Sequence, residues 1–252
     1  MKQGKNFFSS TNAISKTLDK TIKQDFVYLE SVKALSRLTY STIYIIDYEK
    51  REFEYVSNNP LFLCGHTAKA VKKMGYDFYL KYVLEPDLDI LFKINTIGFD
   101  FYNKIPLNKK RQYTISCDFH LRDKKGNINL VHHETTPLFL TNRGRIWKSI
   151  SIVSLSGAQQ AGNIKIGDKG DNILFKYNLR GGFWEKEVRV KLTSREIDII
   201  RLAARGYTMI DIAKTLFISL STVKFHRRNI FEKLGVTNIT EVIMFVTENK
   251  LI

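Results

Sequence analysis

The side chains of this 252-residue chain that could do chemistry at a fixed spacing gather near its end. On a helix predicted from Ser219 to about Leu234, Ser221, Lys224, Phe225 and Arg228 share one face by i, i+3, i+4 and i+7 spacing, and Val223, Ile230 and Leu234 form an apolar stripe on the other. The outward set suits a polyanion with readable edges. A guanidinium such as that of Arg228 can fork onto a guanine, and a ring such as that of Phe225 can touch a thymine methyl. Lys224 and Arg227 suit phosphate or a base edge according to docking angle, and Ser219, as a capping residue, leaves backbone amides of the helix N-terminus for phosphate. A B-form major groove, about 12 Å wide, admits one such helix with its N-terminal residues against the bases. Basic residues at 224, 227, 228 and 233 would also make an ordinary solvated face, but cap, turn and inward stripe in one register favour a DNA-reading one. His226 lies near the inner edge with no partner residues around it in sequence, and reads as a packing or phosphate-contacting imidazole rather than a metal ligand or catalytic base.

Other elements must hold that helix in place. In Leu192-Thr-Ser-Arg-Glu196 either Thr193 or Ser194 can cap a helix, Glu196 complements the dipole in its first turn, and Ile197, Ile200, Leu202 and Ala203 give it a buried side. Gly206 ends it, Thr208 caps a second helix whose Ile212, Ala213 and Leu216 face inward, and Phe217-Ile218-Ser219 turns the chain into the third.

Together these residues resemble the LuxR-type, or FixJ/NarL-type, helix-turn-helix: Leu192-Thr-x-Arg-Glu196, Gly206, Ile212-Ala213, Leu216, Ser219, Ser221-Thr-Val-Lys224, His226, Ile230 and Lys233-Leu-Gly235. The resemblance covers residues 190–250. It implies an all-α four-helix domain over 191–252 that binds double-stranded DNA as a homodimer, with the last helix, Ile239 to Asn249, contributing to dimer contact. The residues expected at the DNA are Ser219, Ser221, Thr222, Val223, Lys224, Phe225, His226, Arg227, Arg228 and Lys233. Two positions depart from the family's pattern: Asp211 stands where glutamate is usual, and Phe225 is larger than the residue often found there, which leaves the preferred DNA sequence open.

Upstream, apolar residues at Ile14, Leu18, Ile22, Phe26, Leu29, Val32, Leu35 and Leu38 predict a leading helix within residues 1–37 or so, expected to pack back on the following domain, with pairing to a second copy as the alternative. Residues 42–57 then read as a hairpin, and Ala68 to Met74, Phe78 to Val83 and Asp87 to Asn95 as short helices bounded by Gly75 and Pro86. Tyr113 to Arg122 alternates strictly, and Ile128 to Leu140 and Ile146 to Leu155 complete three antiparallel strands. This is an α+β arrangement, an antiparallel sheet with short helices over one face. Over residues 38–156 the order resembles a PAS domain, with local echoes in Tyr55-Val-Ser-Asn-Asn59 and Glu85-Pro-Asp-Leu88. Residues 156–190 hold six of the fourteen glycines, so 157–190 is expected as a linker, with a hairpin from Ile173 and Phe183.

Bulk composition narrows the function classes. Forty Lys plus Arg against 25 Asp plus Glu leave +15, which attracts polyanions, but Lys191 to Ile252 holds only +4 of it, so charge does not locate the interface. Two cysteines, Cys64 and Cys117, fit neither a disulfide framework nor metal-ligand spacing and suit a reducing cytoplasm. The sequence shows no secretory signal and no apolar run of the roughly 18 residues that spanning a bilayer needs, so no membrane partner is expected. A nucleophile elbow, a Gly-rich phosphate loop and paired acids in helix register are all missing, which argues against an enzyme. His132 and His133 project to opposite faces of their strand, and His132 is expected to face the core. No cofactor is expected: neither an Asn-Cys-Arg-Phe flavin motif nor a haem-ligating histidine stands out, and Trp147 and Trp184 do not sit in an acyl-homoserine-lactone pocket pattern. The expected function is therefore sequence-specific transcription regulation. The PAS-like half either receives a small molecule or serves purely as a docking module for a signalling protein, and an apolar cavity of ligand size separates these two.

Overall fold

Strand β1 (Thr42–Asp47) is buried at every position, which requires apolar cover on both faces of its sheet. The computed structural model describes residues 27–168, 170, 173–188, 190–248 and 251, and divides into two compact units at residues 187/188.

In the first unit, helix α1 (Val27–Leu38) lies on one face of β1. Val32 packs with Ile43 and Ile45, joined by Tyr28, Leu29, Tyr55 and Ile150. The leading helix thus packs back on its own domain over the described residues; its earlier stripe, Ile14 to Phe26, lies outside them. The other face of the sheet is covered by α2 (Pro60–Leu63), α3 (Ala68–Met74), α4 (Asp77–Tyr82) and α5 (Glu85–Asn103), which follow β2 (Glu52–Val56). Tyr44, Phe53, Phe62, Phe78 and Phe119 are fully buried there. Helix α5 runs eight residues past the expected Asn95. It contains Gly98, where a Cβ would lie 2.6 Å from Ile115 Cδ1, so the missing side chain lets the helix approach strand β3 (Tyr113–Arg122) closely. With β4 (Ile128–Leu140) and β5 (Ile146–Leu155), two strands, short helices and three long antiparallel strands make this unit PAS-like.

The glycine-rich stretch expected as a linker instead extends the sheet. β6 (Gly162–Asp168) pairs with β3, Ile115 opposite Ile166, and β7 (Ile173–Asn178) and β8 (Phe183–Val188) complete an eight-stranded order β2-β1-β5-β4-β3-β6-β7-β8. Ile164 and Ile166 are buried, and apolar residues at every second position carry a strand regardless of the glycines beside them. Gly167 suits a tight sheet position, where a Cβ would meet Leu174 at 3.2 Å. Asp118, itself buried, accepts hydrogen bonds from His132 Nδ1 (2.8 Å), Ser156 Oγ (3.1 Å) and Asn163 Nδ2 (2.7 Å), fastening this part of the sheet.

The histidine parity is the reverse of that expected. His133 faces the core with Val131, and His132 bonds to Asp118 on the opposite face. The expectation took Ile128, Leu130 and Leu140 as the core-facing set, but Ile128 is exposed and Leu130 only half-buried, whereas Val131, on the parity of His133, is the buried residue of the strand.

The second unit is all α: α6 (Ser194–Ala204), α7 (Met209–Thr215), α8 (Leu220–Leu234) and α9 (Ile239–Glu248) around a core that includes Ile199, Ile200, Ile212, Val223, Ile230 and Val246. No described helix is long and apolar enough to cross a membrane.

Candidate nucleic-acid interface and ligand cavity

Each helix of the second unit starts on a side chain that satisfies its orphan amides. Thr193 Oγ1 accepts from the Glu196 amide while Glu196 accepts from the Thr193 amide at 2.7 Å, a closed capping box. Thr208 and Asp211 form a second box, so the shorter aspartate still closes it. Ser219 Oγ accepts from the Thr222 amide at 3.1 Å and opens α8, and Gly235, in a left-handed conformation, closes it. Between α7 and α8 the chain turns through Phe217, which has a φ of +54° and is 94% exposed.

Val223, Ile230 and Leu234 are buried and fix the rotation of α8 about its own axis. Ser221, Lys224, Phe225 and Arg228 accordingly stand in solvent on its outward face. The Arg228 guanidinium lies 5.8 Å from the Phe225 ring centre and 3.8 Å from Glu232, an exposed pairing worth only about 0.3–0.5 kcal/mol in general and readily exchanged for another anion. Arg227 lies over the Phe231 ring. Thr222 is half-buried with its hydroxyl 2.8 Å from Ser219 Oγ, and half-buried His226 sets its ring edge-on to Phe225.

Two residues grouped with the interface stand elsewhere. Val223 is fully buried in the core and cannot face a groove. Lys233 is committed to Glu196, its Nζ 2.7 and 2.8 Å from the carboxylate oxygens. Burial pushes the Glu196 carboxyl up, but the hydrogen bonds from Lys233 and Thr193 outweigh it and hold the group below the ordinary range. This pair spans 37 residues and had no signal in the sequence beyond the capping glutamate. Also unanticipated was a run of exposed apolar residues, Ile210, Phe217 and Leu220, around the turn.

The PAS-like unit holds a cavity of about 110 Å³ between α5 and the sheet. No Asp, Glu, Lys or Arg lines it. At its wall the Tyr44 hydroxyl lies 2.6 Å from both the Tyr79 hydroxyl and His133 Nε2. Burial, with His132 nearby, pushes the His133 imidazole down to about 4, so it is neutral at physiological pH. Tyr102 lines the same cavity, and its buried hydroxyl has no hydrogen-bond partner among the described residues. Neither do the described residues include a cluster of three His, Cys, Asp or Glu fit to hold a metal.

The pattern of the bacterial regulatory proteins of the luxR family matches residues 190–246. Residues 190–246 are thus a helix-turn-helix domain of the luxR type. The chain is 38% identical over 61 residues to the oxygen regulatory protein NreC of Staphylococcus aureus, covering 24% of this chain and 28% of that protein. The chain thus spans under a third of the length of such curated relatives. A solved structure of the transcription factor GerE is 37% identical, covering 24% of this chain and 90% of that one, with a TM-score of 0.23. The VqmA dimer of Vibrio cholerae, described as a LuxR-type receptor solved in the absence of target DNA, is 16% identical over 88% of both chains, with a TM-score of 0.32.

Proposed function

We propose that this chain is a sequence-specific transcription regulator whose helix α8 enters the DNA major groove as a homodimer, under the control of a small molecule received by the PAS-like unit. The observation that carries the DNA-binding reading is the outward face of α8: Lys224, Phe225 and Arg228 stand in solvent beside a capped helix N-terminus, on a helix whose rotation is fixed by its buried stripe. Arg228 reads a base, and Lys224, Arg227 and the amides beyond Ser219 hold phosphate. Val223 supports the face from within, and Lys233 holds α8 to α6. The uncharged cavity favours a ligand over pure protein docking as the signal.

Competition binding of the full chain to a panel of single-base variants of its site tests the assignment. Arg228→Ala is expected to relax discrimination at one base position by about 1–3 kcal/mol, whereas Lys224→Ala weakens all sequences alike. Uniform weakening by Arg228→Ala would make it a phosphate contact.

A further inference from the structure

We propose that the cavity between α5 and the sheet takes an uncharged molecule of single-ring size whose hydrogen-bond acceptor receives the Tyr102 hydroxyl; this rests on the reading above that the PAS-like unit receives a ligand. Size sets the first limit. At about 110 Å³ the space is somewhat smaller than the apolar cavity of about 150 Å³ that admits benzene, so one ring fills it with slight movement of its walls. Tyr48 and Phe99, which meet edge to face with centroids 5.4 Å apart, belong to that wall and offer the surfaces a ring packs against.

Charge sets the second limit. With no acidic or basic side chain in the lining and His133 held neutral, an ion entering the cavity would shed its water for uncharged walls; the Lys110 ammonium, 5.0 Å from the Tyr102 ring centre, stands outside the lining and donates to the Gly144 carbonyl.

Hydrogen bonding sets the third. The polar groups around the cavity are largely committed to one another: Tyr44 to Tyr79 and His133, Thr135 to the Ile150 carbonyl, and Thr136 to the Tyr113 carbonyl. Tyr102 is 5% exposed, burial pushes its phenol up so that it stays protonated, and its hydroxyl has no partner among the described residues. A buried donor without an acceptor is a standing cost that an acceptor on a ligand removes.

Calorimetric titration of the full chain at pH 7.5 with pyridine, cyclohexanone, benzene and benzoate tests this. Pyridine and cyclohexanone should bind saturably and about tenfold more tightly than benzene, as one buried hydrogen bond provides, and benzoate should not bind. Tyr102→Phe keeps the ring and breaks no hydrogen bond among the described residues, so it should still bind benzene while losing the tenfold preference. Benzoate binding as tightly as pyridine, or a preference unchanged in Tyr102→Phe, would overturn the ligand class and leave the ligand-receiving reading intact. If none of the four binds the wild-type chain, both fall.

Discussion

Glu196 shows how one side chain can hold a helix from behind the face it presents to solvent. Its carboxylate closes the capping box of α6 and accepts the Lys233 ammonium from the far end of α8, so two helices meet on one buried charge. Because these bonds lower its pKa in the fold, the stabilisation is present above the ordinary carboxylate value near 4.5 and is lost as pH falls through the lower folded value. Glu196→Gln is therefore expected to cost about 1–3 kcal/mol at pH 7 in urea unfolding, and to make stability below pH 4.5 less dependent on pH than in the wild type. Equal pH dependence in the two proteins would mean the carboxylate contributes nothing as an anion. Residues of this kind are illegible in sequence, since the partners lie 37 positions apart, whereas Ser219, Lys224 and Arg228 could be placed from caps and spacing within one helix.

Elements were legible where their signals were local and hidden where glycine masked them. The capped helices of the second unit follow from Thr193, Thr208 and Ser219, and the alternation through Cys117, Phe119 and Leu121 gives β3. By contrast, β6 alternates only at Ile164 and Ile166 between Gly162 and Gly167, and that composition resembles a linker. The histidine parity failed for another local reason: Ile128 and Leu130 are apolar but lie on the face away from the core, which Val131 marks. Asp118 decides how firmly β6 belongs to the sheet, because it collects donors from β4, from the end of β5 and from β6. Asp118→Ala strands those donors and is expected to cost about 3 kcal/mol. It should also speed amide exchange along β6, and unchanged exchange there would show that strand pairing alone secures the strand.

At the scale of the whole molecule, the +15 charge and the two units divide the work differently from what composition suggests. The excess charge is spread along the chain, so it attracts polyanions without choosing a site, and in the function proposed above choice falls to a few side chains on α8. The cavity of the PAS-like unit could be named from sequence only as the feature that would separate ligand sensing from pure protein docking, because its space lies between a helix and strands distant in sequence and depends on Gly98 and on which histidine faces inward. The most direct measurement of the central claim is selection of bound sequences from a random DNA pool by the purified full-length chain at low salt. The account predicts enrichment of a two-fold symmetric site, with one base position in each half-site degraded when Arg228→Ala is used. Failure of the wild-type chain to enrich any sequence would contradict it.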